Sequence, residues 1–296
     1  MKPPPFGYSR PESVSEAVST LASLGPDGKV LAGGQSLLPL LSMRLAAPHH
    51  LVDINRLREL SYVRVDDSHV HVGALARHAD VLADLPARTA QPLLGQALRL
   101  VAHATIRNRG TTVGSIVHAD PSGEMTAVLA LLDGTVRVVG AAGERDVPAG
   151  DFFLGPLESS VQPGELAVRA SFPTLPSRAG TAFVEVARRN GDYAVCGVGA
   201  LVELGDDGEV VRARCAYLSV AATPLVLDLS GSMGADGDAT AAAAAARSHV
   251  EPEADIHASA EYRRHLAGVL TERALRLAHH AARSRAAHSR TAARPR

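Results

Sequence analysis

Ala32-Gly33-Gly34-Gln35-Ser36, at the end of the strand-like run Lys29–Ala32, and Arg109-Gly110-Thr111-Thr112-Val113-Gly114-Ser115, at the end of a helical run, are the stretches that decide the fold. Glycine lets backbone amides approach an anion with no Cβ in the way, and successive amides form an anion-binding nest. The hydroxyls of Ser36, Thr111 and Ser115 add donors. A diphosphate offers oxygens to two such loops at once, whereas either loop taken singly also reads as a plain turn. Neither matches G-x-G-x-x-G or the Walker pattern, which argues against a Rossmann or P-loop site.

Upstream of the first loop, Ser13 and Glu16 form a capping-box pair, with Val14, Ala17, Val18, Leu21 and Leu24 on one helical face. Leu51–Ile54 reads as a strand, and Val70 and Val72 alternate with His69 and His71 as in a half-buried strand. The second loop is preceded by a helix carrying Leu94, Ala97, Leu98 and Val101, which runs into Arg107-Asn108-Arg109-Gly110. Strands follow at 135–139 and 166–172. The Pro-containing stretch 172–177 reads as a boundary. Beyond it, 193–204 and 209–220 read as strands of a hairpin closed by Gly205-Asp206-Asp207-Gly208. A Gly/Ser/Asp loop and an alanine-rich surface helix occupy 231–246. A last helix from about Ser259 carries Tyr262, Leu266, Val269, Leu270 and Leu277 on one face. The Arg- and Ala-rich stretch 284–296 is expected to be a disordered tail.

With 296 residues, 46% of them hydrophobic, the chain is long enough for two domains. Its 30 Lys plus Arg balance 31 Asp plus Glu, so neither nucleic acid nor an anionic membrane is favoured as a general partner. Two cysteines, Cys196 and Cys215, are too few for an iron–sulfur cluster or a structural zinc site and read as small core residues. His49, His50, His78, His103 and His118 show no metal-ligand spacing. The start, MKPPPFGYSRPES, lacks an apolar signal-peptide core, and no apolar run approaches the roughly 18 residues of a spanning helix. A cytoplasmic protein with reduced thiols is expected.

LAGGQSLLPLLSMRLAAPHHLVDINRL (31–57), GALARHADV (73–81), IRNRGTTVGSIVHADPSGEMTAVLALLDG (106–134), VPAGDFFLG (147–155), FVEVARRNGDYAVCGVGA (183–200) and SAEYRRHLAGVLTERAL (259–275) occur in one order. Together they resemble the medium, FAD-binding subunit of the molybdenum hydroxylases, the family of aerobic carbon monoxide dehydrogenase and xanthine dehydrogenase. The resemblance spans about residues 3–280 and rests on independent motifs in matching order and spacing.

It implies an α+β chain. Residues 1–175 would form a two-lobed FAD-binding domain of the PCMH type, similar to vanillyl-alcohol oxidase and UDP-N-acetylmuramate dehydrogenase, with lobes at about 1–55 and 56–175. Residues 177–283 would form a small C-terminal domain of antiparallel sheet and helices. FAD, held noncovalently between the lobes, would have its diphosphate on Lys29, Val30, Leu31, Ala32, Gly33, Gly34, Gln35 and Ser36 and on Thr111, Thr112, Val113, Gly114 and Ser115. Glu124 would accept a hydrogen bond from the adenosine ribose, and Tyr193 would lie beside the isoalloxazine, where an aromatic face can shield it. Each residue also has a plainer role: Glu124 as a helix N-terminal acid, Tyr193 as an ordinary strand aromatic.

The chain departs from the family at two positions. Val113 replaces the first of two paired glycines; valine is strained at positive φ, so it must adopt ordinary dihedrals and turn away from the cofactor, or the loop is remodelled. Glu185 stands near where some relatives carry a flavin-contacting lysine. Gly34 is taken as the bare backbone facing the diphosphate. No catalytic residue and no molybdopterin or cluster motif is legible, so the resemblance implies a large molybdenum-cofactor subunit and a small iron–sulfur subunit as partners, arranged as a dimer of heterotrimers. Electrons would pass from two 2Fe–2S centres through FAD to NAD, a quinone or another acceptor. A stand-alone flavin oxidase or reductase, and a flavin-poor scaffold subunit, are the alternatives.

Overall fold

The computed structural model describes residues 2–292, with side-chain environments through residue 288. Three sheets carry the architecture. Strands β1 (Gly7–Ser9), β2 (Gly28–Leu31) and β3 (His50–Asp53) form a small parallel sheet in the order β1-β3-β2. Helix α1 (Val14–Leu24) crosses from β1 to β2 and buries Ala17, Val18 and Leu21. Its cap departs slightly from the expected box: Ser13 Oγ accepts from Glu16 N–H at 3.1 Å, but the Glu16 carboxylate reaches back to the amide of Glu12 at 2.8 Å. Helix α2 (Leu37–Ser42) follows β2.

The second sheet is antiparallel. It is built from β4 (Val63–Val65), β5 (His69–Gly73), β6 (Thr135–Gly140), β7 (Gly143–Pro148) and, after the hairpin of β8 (Phe153–Gly155) and β9 (Glu158–Ser159), β10 (Leu166–Pro173). The order is β4-β5-β10-β6-β7. Val70 and Val72 are fully buried while His69 and His71 are half-buried, as the alternation requires. Between β5 and β6 lie α3 (His78–Ala83), α4 (Leu85–Ala90), α5 (Pro92–Leu98), α6 (Ala104–Arg107), α7 (Thr112–His118) and α8 (Glu124–Leu131), and α9 (Ala149–Phe152) follows β7. The single helix expected to reach Arg107 is broken in two. Ala102 takes a φ of +43°, and the Arg107 guanidinium holds the carbonyls of Val101 and Ala102 at 2.8 and 2.9 Å.

The third sheet is the antiparallel meander β11 (Ala179–Ala187), β12 (Ala194–Leu204), β13 (Val210–Leu218) and β14 (Leu225–Asp228). One face, with Phe183, Leu201, Ala216 and Leu218, packs against α8 in the core shared with the first 175 residues. The other, with Cys196, Val198, Cys215 and Tyr217, lies under α10 (Thr240–His249) and α11 (Ala260–Ala292). Both cysteines are free and buried, and burial pushes each thiol up to about 12. The face of α11 turned inward is not the expected one. Leu266 and Leu270 are buried, but Tyr262, Val269 and Leu277 face solvent and alanines line the contact. Small residues are required there. A Cβ on Gly180 of β11 would stand 2.2 Å from the backbone of both Ala278 and Ala282. The helix also continues past the expected tail boundary to Ala292, because alanine and arginine are strong helix formers and Ala286 is still buried. Residues 293–296 of that tail lie outside the described residues. No helix among them is long and apolar enough to cross a membrane.

Candidate cofactor site

The two glycine loops lie side by side. A Cβ on Gly33 would stand 2.4 Å from the Arg109 carbonyl oxygen, 2.8 Å from Gly110 Cα and 3.0 Å from the Thr111 nitrogen. Only glycine lets the backbones come this close. Gly34 has a φ of +73°, which an L-residue resists, and its missing Cβ points at Leu38 and Leu31 at 3.0–3.2 Å. The direction expected for Gly34 is therefore corrected: its Cβ position is filled by side chains of α2 and β2 and does not face an open cleft. Gln35 Nε2 donates to the Gly33 carbonyl at 3.0 Å and closes the turn. Val30 and Ala32 pack on the core, so their side chains serve the scaffold, while Lys29 is exposed.

The second stretch is the start of a helix. Thr111 is the N-cap of α7, its Oγ1 accepting from Gly114 N–H at 3.2 Å. Val113 lies in the first turn, is not among the residues of positive φ, and is 1% exposed with its side chain in the core. Thr112 is fully buried, its hydroxyl bonded to His78 Nδ1 at 3.2 Å, so this hydroxyl does not face the cleft. Gly114 and Ser115 are half-buried. Neither the Ser36 nor the Ser115 hydroxyl has a hydrogen-bond partner among the described residues, which leaves both free for a ligand.

Residues invisible to motif reading hold the loops together. Asn55, just after β3, donates to the Ala32 carbonyl at 2.9 Å. Arg77 donates to Asn55 Oδ1 and to the Arg109 carbonyl, each at 2.7 Å. His78 follows, its amide on the Gly110 carbonyl at 2.9 Å. Burial, then the nearby Arg107 charge, depress the His78 imidazole to about 4, so it is neutral at physiological pH.

The other expected residues meet one turn further on. Glu124 opens α8, is 9% exposed and is pushed up to about 8, first by burial and then by the charges of Glu185 and Asp120. Tyr193 precedes β12. Its surface is 66% exposed, yet its hydroxyl is pushed up to about 12 by crowding and by Asp120 and Glu124. The open surface decides what a ligand can reach, and it leaves the ring face available. Ser219, held at φ +63°, joins the two: its Oγ donates to the Ala194 carbonyl at 2.7 Å and shares a second hydrogen bond with the Ser122 hydroxyl at 2.8 Å, and its amide donates to the Pro121 carbonyl. Arg263 of α11, 7% exposed, backs this corner by donating to the carbonyls of Val195 and Ser219 at 2.8 Å. His118, at the end of α7, lies within electrostatic reach of both Lys29 and Asp120. His118 thus links the electrostatic surroundings of Lys29, in the first glycine stretch, to those of Asp120, beside Glu124 and Tyr193.

Among the described residues no group of three His, Cys, Asp or Glu could hold a metal ion. His71 bridges Ser171 Oγ (2.9 Å) and Asp66 (2.8 Å), but Ser171 is 4% exposed and belongs to the sheet, not to a nucleophile site.

The family model for the FAD binding domain in molybdopterin dehydrogenase matches residues 4–175, and that for the CO dehydrogenase flavoprotein C-terminal domain matches residues 181–278. The chain is 40% identical to the 6-hydroxypseudooxynicotine dehydrogenase complex subunit alpha of Paenarthrobacter nicotinovorans, over 96% of this chain and 97% of that one. Its structure superposes on carbon monoxide dehydrogenase from Hydrogenophaga pseudoflava with a TM-score of 0.88 at 35% identity, covering 96% of this chain and 99% of that one. Quinoline 2-oxidoreductase from Pseudomonas putida 86 gives a TM-score of 0.86 at 36% identity, over 97% and 100% of the two chains. Matched by both family models in sequence order and by these relatives end to end, the chain belongs to the FAD-binding medium subunits of the molybdenum hydroxylases.

Proposed function

We propose that this chain holds FAD noncovalently between its glycine loops and the Glu124–Tyr193 corner, and relays electrons within a molybdenum hydroxylase complex. The observation that carries this reading is the backbone contact between Gly33 and Arg109–Thr111, which sets two short loops edge to edge with the free hydroxyls of Ser36 and Ser115 beside them. Loops so placed can present backbone amides to a diphosphate. Residues Lys29–Ser36 and Thr111–Ser115 hold the diphosphate, chiefly through backbone amides. Glu124 accepts from ribose hydroxyls. Tyr193 covers one face of the isoalloxazine and limits water there. Bound FAD supplies the redox chemistry; the protein positions and shields it.

The remaining centres belong to partners. Both cysteines are buried in the third sheet, so the chain offers no thiolates for a cluster. A small iron–sulfur subunit and a large molybdenum-cofactor subunit supply them, in a dimer of heterotrimers in the cytoplasm. Relatives named for 6-hydroxypseudooxynicotine, caffeine, nicotine and quinoline point to an N-heterocyclic substrate at the large subunit, with carbon monoxide the main alternative. Affinity purification of the tagged chain from its native cells tests this. Flavin, iron and molybdenum are expected to co-elute, with flavin released by acid precipitation. A colourless chain, or a yellow chain that oxidises substrate without partners, overturns the proposal.

A further inference from the structure

Glu185 has no part in the reading above. It lies on β11, opposite Gly197 of β12. Phe183, two residues earlier and so on the same face, packs over Gly199 beside Leu131 of α8. Glu185 therefore points along α8 toward its first residue, Glu124. Among the described residues Glu185 Oε2 is buried with no hydrogen-bond partner, and the one amide reaching the Glu124 carboxylate is its own. The two carboxylates thus lie within electrostatic reach of one another across the junction of the FAD-binding region and the third sheet, and among the described residues no ion pair engages either.

We infer that Glu124 and Glu185 act as a proton-sharing pair that grips the sugar hydroxyls of FAD and makes cofactor retention depend on pH. Two close carboxylates in a poorly solvated site cannot both stay ionised, so one keeps its proton while the other accepts. The protonated member donates to a sugar oxygen and the ionised member accepts from a sugar hydroxyl, so the pair matches a polyol better than two anions would. Burial is the leading cause at both sites: Glu185 is pushed up to about 7 and Glu124 to about 8. Asp120, in the turn before α8, and Tyr193, in the loop before β12, are the other ionisable groups facing the pair. Asp120 adds negative charge, and the Tyr193 hydroxyl stays neutral. His118 lies beyond Asp120, and burial holds its imidazole below the usual range.

The inference rests on the FAD reading, and the test separates the two. FAD is titrated into the deflavinated protein, followed by flavin fluorescence, at about pH 7.5, where the pair holds one proton, and about pH 9.5, where it has lost it. The parent is expected to bind FAD at least about tenfold more weakly at the higher pH. Glu185→Gln, which fixes a neutral donor in the pair, is expected to flatten this dependence to within about threefold. Glu124→Gln carries the same expectation and serves if the first variant does not fold. A parent with no pH dependence, or a Gln variant that follows the parent, overturns the pair. A parent that takes up no FAD at either pH overturns the cofactor reading itself, and the pair with it.

Discussion

Gly33 lies against the carbonyl oxygen of Arg109 so closely that a Cβ on Gly33 would stand 2.4 Å from it. The same oxygen accepts the Arg77 guanidinium at 2.7 Å. One backbone atom of the second loop thus takes its position from a missing side chain on one side and a cation on the other. Gly33→Ala is expected to push the loops apart, since both contacts are backbone and neither can rotate away. FAD affinity should fall at least about a hundredfold, roughly 2.7 kcal/mol. Gly34→Ala strains a positive φ and crowds Leu38, so it should lower the melting temperature as well. Fluorescence titration and thermal denaturation of both variants check this; a Gly33→Ala protein with normal FAD affinity refutes the cradle.

Arg77 is the second half of that clamp. Its planar guanidinium reaches Asn55 and Arg109 together, whereas the single ammonium of lysine cannot reproduce both directions. Each bond from a charged donor contributes about 1.5–3 kcal/mol when its partner is shielded, so Arg77→Lys should weaken FAD binding by tenfold or more. Equal affinity in Arg77→Lys and the parent would show that the loops hold their spacing without the clamp.

That the two glycine loops need bare backbone was readable from the chain, but the clamp that joins them was not. Asn55, Arg77 and Arg109 sit in three separate segments, and no local pattern links them. Val113 was legible as a constraint: valine excludes a positive φ, so a side chain turned into the core was the outcome to expect, and it is the one found. The third sheet was half legible. The hairpin of β12 and β13 announced itself through Gly205–Gly208, whereas β11 begins Ala179-Gly180-Thr181-Ala182, with Thr181 the one β-branched residue of the kind that marks a strand. Those small residues answer to α11, whose backbone rests on Gly180. The same contact explains why the leucine and valine stripe misled. Around that contact Ala278 and Ala282 take the inward positions, while Tyr262, Val269 and Leu277 turn outward.

Val113→Gly separates scaffold from site. The side chain is buried in the first turn of α7 and points away from the cleft, so FAD affinity should stay within about tenfold, roughly 1.4 kcal/mol. Stability should fall by more than backbone freedom alone would take. Deleting a buried side chain leaves a cavity, and glycine is a poor helix former, together about 2–4 kcal/mol. Chemical denaturation of the deflavinated variant measures the second effect and FAD titration the first. A hundredfold tighter grip on FAD would mean that valine had damaged the loop.

His78 gives a pH dependence whose sign follows from its environment. It is 4% exposed, and burial lowers its imidazole from 6.5 to about 4, so the folded protein binds the proton less readily than the unfolded chain. A base depressed in this way stabilises the fold fully above its unfolded value and loses that contribution as pH falls through the folded value. The window is therefore about pH 6.5 down to about 4. The difference of about 2.5 units corresponds to roughly 3 kcal/mol at about 1.4 kcal/mol per unit. Protonation would place a charge beneath Gly110 and Thr112, so the second glycine loop should loosen first. Replacing His78 by Gln removes the titration while keeping a donor for Thr112. Urea denaturation of parent and His78→Gln across this window should show the parent losing stability more steeply by that amount. Parallel curves would show that the imidazole is solvated in the folded protein and has no part in holding the loop.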